Sequence, residues 1–134
     1  MAVLNNITFA CEEPVRVAEF WREALGYEHV DVPDEVRQAV EEDITAGKLD
    51  PGGWAMLVNP EGTGPRLLFQ RRPKSSPEHI PIHLDLGSED RRAEVERLVG
   101  LGATVVEERS QQIGPYEELW TVLRDPEGNG FCVS

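Results

Sequence analysis

The chain has 134 residues, a length typical of one domain with a hydrophobic core of its own. Its 25 acidic and 13 basic residues give a formal charge of −12, which disfavours nucleic acids and anionic membranes as partners because both are polyanions. No apolar run has the length of a membrane span and no secretory leader is visible, so we expect a cytoplasmic protein without a membrane partner.

The first predicted elements are a strand and a helix. Residues 3–11 are rich in β-prone side chains and predict a strand. Pro14 suits the first position of a helix and Gly26 its end, which predicts a helix between them. Phe20 and Trp21 lie on this helix, and we expect both rings to pack against a sheet.

A strand over residues 27–32 precedes a segment rich in helix formers. Residues 33–48 contain a cap candidate in Asp34 and a stop at Gly47, which predicts a helix. We interpret this helix as a solvent-exposed surface element. The alternative is that it covers the mouth of a pocket.

Two stretches of the chain share one sequence pattern. Residues 54–62 read WAMLVNPEG and residues 120–128 read WTVLRDPEG, at an offset of 120 − 54 = 66. Each copy is an apolar run closed by an Asx-Pro-Glu-Gly turn, and a second apolar run follows over residues 66–70 and 131–133. The pattern predicts a β-hairpin that occurs twice.

The repeat extends backwards from each hairpin. Strand, helix and strand precede it in both halves, and the helix ends recur at an offset of 101 − 25 = 76. In the second half we expect a strand over residues 82–86, a helix from about Ser88, a strand over 104–107 and a loop over 111–115. The prediction is one α+β domain over residues 1–134 made of two tandem βαβββ modules: module one at about 1–72, a linker at about 73–79 and module two at about 80–134.

Two such modules, each with its helix on one face, leave the opposite faces around a shared cavity. Strand alternation places polar side chains on that face, and His83 and Asp85 share it two residues apart. His83 is therefore a candidate acid, base or ligand-binding group with Asp85 as its orienting partner; the simpler interpretation is a cavity histidine beside a surface carboxylate. We favour structure or binding over catalysis because no second acid or nucleophile pairs with them. The inward candidates are Asn6, Thr8, Ala10, Leu68, Gln70, His83, Asp85, Gly130 and Cys132.

Two further pairs of residues have one member in each module, and the two tryptophans occupy equivalent places. Trp54 and Trp120 could stack on an aromatic ligand from two sides, but duplicated core packing is the simpler interpretation and the one we favour. Cys11 and Cys132 lie in apolar strands without CxxC spacing. This arrangement suits reduced, buried thiols better than a disulfide or a zinc framework.

Several motifs together resemble the vicinal oxygen chelate superfamily, and its small bacterial glyoxalase-like proteins in particular. The motifs are the helix ends FWREALGY and ERLVGLGA, the strands LLFQRRP and HLDL, and the terminus DPEGNGFCV. The resemblance implies that the two modules form a half-open barrel, commonly paired into a homodimer. Enzymes of this superfamily include glyoxalase I, extradiol dioxygenases, methylmalonyl-CoA epimerase and fosfomycin-modifying transferases, whereas bleomycin-resistance members bind their drug without metal.

The resemblance also implies where a metal would bind, because the family's enzymes take ligands from the first and last strand of each module. Carried over by position, these ligands fall on His83, Gln70, Cys132, and either Thr8 or Asn6. No carboxylate occupies any of the four places, and the hard or borderline ions that hold oxygen substrates prefer carboxylate and imidazole ligands. We therefore expect no metal, with His83, Gln70 and Cys132 as weak candidates.

Two functions stay open on the sequence. The favoured hypothesis is metal-independent binding of a small apolar or aromatic molecule in the cavity, with Gln70, His83 and Asp85 as orienting polar groups. The alternative is a metal-dependent lyase, isomerase or dioxygenase, in which an ion on His83 and Gln70 would polarise vicinal oxygens of a substrate. We expect no cofactor, a small-molecule ligand and a homodimer.

Overall fold

The computed structural model describes residues 1–75 and 80–134, in which eight strands form one sheet and three helices pack around it. This is the predicted α+β arrangement, and the helix predicted over residues 33–48 of module one is present. Part of the predicted linker, residues 76–79, lies outside the described residues. The elements are β1 Val3–Cys11, α1 Pro14–Leu25, β2 Glu28–His29, α2 Asp34–Thr45, β3 Trp54–Val58, β4 Arg66–Arg71, β5 Ile82–Gly87, α3 Arg91–Gly100, β6 Thr104–Ile113, β7 Tyr116–Arg124 and β8 Gly130–Val133.

The strand order is β2-β3-β4-β1-β5-β8-β7-β6, which repeats one topology on either side of the centre. In each module the first strand pairs in parallel with the last, β1 with β4 and β5 with β8. The modules join edge to edge through the antiparallel pair β1 and β5, where Thr8 lies opposite His83 and Asn6 opposite Asp85. The two modules therefore share a continuous sheet.

Helix α1 covers one face of module one and forms the main core with it. Pro14 starts the helix, and Gly26 ends it at φ 70°, a left-handed conformation that glycine adopts without strain. Phe69 is fully buried, and its ring stacks on that of Phe9 with centroids 5.1 Å apart. The fully or largely buried residues of this core are Cys11, Ala18, Leu57, Leu67 and Phe69.

The prediction for the two aromatic residues of α1 is half right. Trp21 packs against the core, but Phe20 is 64% exposed. Successive residues of a helix are rotated by about 100°, so the side chain next to one that faces the sheet points away from it. The expectation that Phe20 packs against the sheet was wrong.

Helix α3 lies on the same face of the sheet as α1, over module two. The Asp90 carboxylate accepts from the backbone N–H of Ala93 at 3.1 Å, so the helix starts a little later than predicted. Arg91 donates to Glu108 at 3.0 Å and to the buried Thr121 hydroxyl, which attaches the helix to β6 and β7. The opposite face of the sheet is covered by neither α1 nor α3, and we call it the inner face.

Contacts of α2 indicate that the sheet curves around the inner face. In the chain α2 lies between β2 and β3 at one edge of the sheet, and the β6–β7 hairpin forms the other edge. A Cβ on Gly114, at the tip of this hairpin, would lie 3.1 Å from the Cβ of Ala39 and 3.6 Å from the carbonyl oxygen of Glu35, both on α2. Two distant edges can meet only if the sheet curves, and α1 and α3 occupy the other face. The inner face is therefore the concave one.

Three elements differ from the sequence prediction in their extent. The strand expected over residues 27–32 is only Glu28–His29, and helix α2 begins at Asp34 after Pro33 as its N-cap. Strand β6 continues to Ile113, through the expected loop, because it pairs with β7 along its whole length apart from one bulge. No helix among the described residues is long and apolar enough to cross a membrane.

Candidate functional site

The pairing register brings the predicted inward residues of both modules to the inner face. Thr8 lies beside Leu68 on one side and His83 on the other, and Ala10 lies beside Gln70. Cys132 lies beside Asp85 on one side and Val122 on the other. Since directly paired residues point to the same face, these side chains lie together on the inner face, in neighbouring rows across the centre of the sheet.

Four of these residues form what we call the polar cluster: Thr8, His83, Asp85 and Cys132. The hydroxyl of Thr8 donates to Asp85 Oδ2, and Thr8 is only 1% exposed. His83 Nε2 lies 3.3 Å from Asp85 Oδ1, so the two oxygens of one carboxylate face different partners. The predicted pairing of His83 with Asp85 is present, and the bond to Thr8 links module one to module two.

Cys132 is a half-buried thiol in the polar cluster. Burial raises the pKa of Cys132 to about 12, and the negative charge of Asp85 adds to this rise, whereas Arg109 opposes it. The thiol is consequently neutral at any physiological pH. The expectation of a reduced thiol fits this environment, and both cysteines are free.

The high pKa of Cys132 predicts slow alkylation. With Cys11 replaced by serine, the rate of iodoacetamide labelling at pH 8 reports on Cys132 alone. Because the pKa is raised from 9.0 to about 12, the reactive thiolate fraction is about a thousandfold smaller than for an unperturbed cysteine. Asp85→Asn removes one of the causes and should increase the rate. An unchanged rate in Asp85→Asn would contradict the electrostatic contact between the two residues.

Two arginines lie on the inner face beside the polar cluster, and sequence reasoning did not identify them. Arg66 Nε donates to the side-chain oxygen of Asn6 at 3.0 Å. Arg109 lies opposite Trp120 in the register and forms an ion pair with Glu107, with Arg109 Nε 2.7 Å from the carboxylate. Strand alternation alone could have placed Arg66 on this face, but β6 was expected to end before Arg109.

Both tryptophans lie on the inner face, away from the core beneath α1, so the duplicated core packing favoured on the sequence was wrong. Trp54 pairs with Gln70 and is 38% exposed, and Trp120 is half-buried. The register places Trp54 next to Gln70, in the row that continues to Ala10 near the carboxyl end of β1, and Trp120 two residues before Val122, towards the other end of the inner face. The two rings therefore sit at different ends of the concave surface, where each could contact a separate part of a ligand.

Two surface clefts occur away from the inner face. One, with a volume of about 520 Å³, lies beside α1 and is lined by Cys11, Arg16, Phe20 and Lys74, among others. The other, of about 860 Å³, lies between the start of β1 and the start of α3. Neither contains a residue of the polar cluster, and we base the site on the convergence of side chains on the inner face.

The ligand positions implied by the resemblance do not suit a divalent ion bound by all four strands. In module one the Thr8 hydroxyl already donates to Asp85, and the oxygen of Asn6 already accepts from Arg66. Gln70 adds only a neutral amide, so module one supplies neither an imidazole nor a carboxylate. Hard and borderline ions prefer those two groups, and this chelate does not fit the residues present.

Comparison with known proteins identifies relatives over nearly the whole chain. The profile of a family described as "Glyoxalase-like domain" matches residues 6–134. A glyoxalase/bleomycin resistance protein/dioxygenase superfamily member from Vibrio splendidus has a TM-score of 0.56 at 12% identity, with all of both chains covered. A methylmalonyl-CoA epimerase variant from Streptomyces coelicolor, in complex with 2-nitronate-propionyl-CoA, has a TM-score of 0.58 at 20% identity and covers 100% of this chain and 95% of its own.

A hypothetical protein from Bacillus halodurans has a TM-score of 0.61 at 16% identity, with 99% of this chain and 94% of that one covered. At these identities the solved structures establish a shared fold only. No curated protein matches the chain in sequence.

Proposed function

We propose that this chain, which belongs to the glyoxalase-like domain family of the vicinal oxygen chelate superfamily, binds a small apolar or aromatic molecule on its inner face, without the four-strand metal chelate. The observation that carries this proposal is that the first-strand ligand candidates of module one already make hydrogen bonds. Thr8 and Asn6 are the residues that could complete a chelate, and both are engaged in hydrogen bonds within the protein.

The composition of the inner face supports an apolar or aromatic ligand. The two tryptophans and four apolar side chains give this face apolar surface, and its polar and charged groups can orient a ligand, as in other small-molecule sites. Gln70, His83 and Asp85 would orient the ligand. Helix α2 would form part of the wall, since its half-buried side contacts the tip of the β6–β7 hairpin. The apolar residues of the inner face include Ala10, Met56, Leu68 and Val122.

Binding can be tested with N-phenyl-1-naphthylamine, a neutral aromatic probe whose fluorescence increases in apolar surroundings. With EDTA present, we expect the wild-type chain to enhance the fluorescence and Trp120→Ala to bind at least about tenfold more weakly, because a buried aromatic side chain contributes roughly 1.5–3 kcal/mol. Phe20→Ala is the matched control, since Phe20 is an exposed aromatic residue outside the inner face.

Two outcomes would contradict the proposal. One is no fluorescence enhancement by the wild-type chain. The other is an equal loss of affinity in Trp120→Ala and Phe20→Ala, which would place the probe elsewhere or indicate nonspecific binding.

The convergence of His83, Asp85 and Cys132 keeps a second candidate function open, namely a metal-dependent enzyme that acts on a substrate with vicinal oxygens. In that case His83 would be the residue with a catalytic role. Turnover of dicarbonyl, catechol or acyl-CoA substrates that appears with added metal and disappears in His83→Ala would favour it. Turnover that survives in His83→Ala would count against it.

We also propose a homodimer, supported by apolar side chains at the centre of the helix-bearing face. Helix α1 packs on β1, β3 and β4, and α3 on β6, β7 and β8, which leaves β5 between them. Ile82 and Leu84 of β5 are 54% and 43% exposed. A second copy packed on this strip would bury them. Light scattering should give twice the mass of one chain, and a single-chain mass at micromolar concentration would contradict the dimer.

A further inference from the structure

Three donor atoms of different chemistry converge in the polar cluster. One ligand atom each from His83, Asp85 and Cys132 lies within 4.8 Å of the other two. The sheet enforces this convergence, because His83 and Asp85 alternate on one strand while Cys132 lies beside Asp85 on the next. All three side chains are partly buried, so their arrangement is fixed by packing more firmly than that of an exposed cluster.

The separation of two of these donors matches tetrahedral coordination. His83 Nε2 and Asp85 Oδ1 are 3.3 Å apart. Bonds of about 2.1 Å from zinc to nitrogen and oxygen place two ligands of a tetrahedron about 3.4 Å from each other. An ion could therefore lie between the two groups with little movement of either.

Thr8 holds the carboxylate of Asp85 in one orientation. Its buried hydroxyl donates to Asp85 Oδ2, which orients the carboxylate and leaves Oδ1 directed towards His83. Carboxylates that bind metals are commonly held by a second hydrogen bond of this kind. Thr8 thus acts as a positioning residue for the donor set and is not itself a ligand.

We propose that His83, Asp85 and Cys132 bind a thiophilic divalent ion of the zinc class, with the fourth coordination position open to the inner face. Imidazole, carboxylate and thiolate together suit Zn²⁺ or Co²⁺ and not Mg²⁺ or Ca²⁺, which prefer oxygen ligands. On binding, the Cys132 sulfur releases its proton to solvent and forms the bond to the ion as thiolate.

This site differs from the four-strand chelate in its ligands. It includes Asp85, and it takes no ligand from module one, so Gln70 is not part of it. The proposal goes beyond apolar ligand binding on the inner face, which needs no ion. The probe measurement is made in EDTA and the ion measurement without it. The failure of one proposal is therefore distinguishable from the failure of the other.

Cobalt is the probe for the test, because a thiolate bound to Co²⁺ gives a charge-transfer absorption band in the near ultraviolet. The full chain, first freed of metal by a chelator, is titrated with Co²⁺ and then with Zn²⁺. We expect the band to saturate at one equivalent of Co²⁺ and to disappear as Zn²⁺ displaces it. The band should be absent in Cys132→Ser.

The second cysteine supplies a matched control. Cys11 is buried on the opposite face, with its sulfur 3.7 Å from the carbonyl oxygens of Phe9 and Gln70. Cys11→Ser should retain the band. Asp85→Asn, which keeps the shape of the side chain, should bind Co²⁺ at least about tenfold more weakly, and Thr8→Val roughly 10–100-fold more weakly.

The proposal is overturned if the wild-type chain gives no charge-transfer band, or if the band is lost in Cys11→Ser and kept in Cys132→Ser. It is also overturned if Asp85→Asn, folded by circular dichroism, binds Co²⁺ as tightly as the wild type does.

Discussion

Replacing Phe69 by alanine is expected to lower the free energy of unfolding by about 3–5 kcal/mol, because a fully buried ring is lost and a cavity remains. Phe69 stacks on Phe9 at a centroid distance of 5.1 Å and lies at the centre of the core beneath α1. For a chain of this size the loss corresponds to a melting temperature lower by roughly 10–20 °C.

Phe20→Ala is the control for Phe69→Ala, since it removes the same ring from a site that is 64% exposed. It should cost less than about 1 kcal/mol in a thermal or urea melt. Equal destabilisation by the two substitutions would contradict a core that lies between α1 and the sheet of module one.

Replacing Thr8 by valine should give the second largest effect on stability. Valine keeps the shape of threonine but cannot donate to Asp85, and hydrogen bonds to charged groups contribute about 1.5–3 kcal/mol. Thr8→Ser is the matched variant, because it retains the hydroxyl and loses only a methyl group worth about 0.8 kcal/mol.

The order of the two Thr8 variants is the informative result. If burial of apolar surface decided stability, valine would be the more stable of the two at a position that is 1% exposed. The bond to Asp85 predicts the reverse, with Thr8→Ser more stable than Thr8→Val in urea unfolding. A more stable valine variant would show that this contact between the modules contributes little.

The repeated pattern made most of the fold predictable from the sequence. The WAMLVNPEG and WTVLRDPEG runs each combine an apolar strand with a turn, so both hairpins were expected where they occur. Strand β1 and helix α1 have the predicted bounds, because Pro14 and Gly26 act through local backbone preferences. Local signals of this kind do not depend on the rest of the chain.

Features that depend on tertiary contacts were less predictable. The half of β6 over residues 108–113 is polar and shows no alternation that would indicate a strand, yet it forms one because β7 pairs with it. The contact of α2 with the hairpin tip at Gly114 joins residues far apart in the chain. Sequence reasoning kept a covering role for α2 only as an alternative.

The candidate site was likewise predictable only in part. Alternation was sufficient to place His83 and Asp85 on one face. It did not predict that one carboxylate would meet Thr8, His83 and Cys132, because that convergence depends on the register between strands of both modules. On the sequence Asp85 was either a partner that orients His83 or a surface carboxylate, and its position beside Cys132 emerged only from the fold.

The most direct test of the account is a map of backbone amide chemical shifts in the ¹⁵N-labelled chain as N-phenyl-1-naphthylamine is added in the presence of EDTA. We expect the largest changes on the inner face, at Met56, Leu68, Gln70, Trp120 and Val122. Changes confined to the cleft beside α1, around Arg16 and Phe20, or to the helix-bearing strip around Leu84, would contradict a ligand site on the inner face.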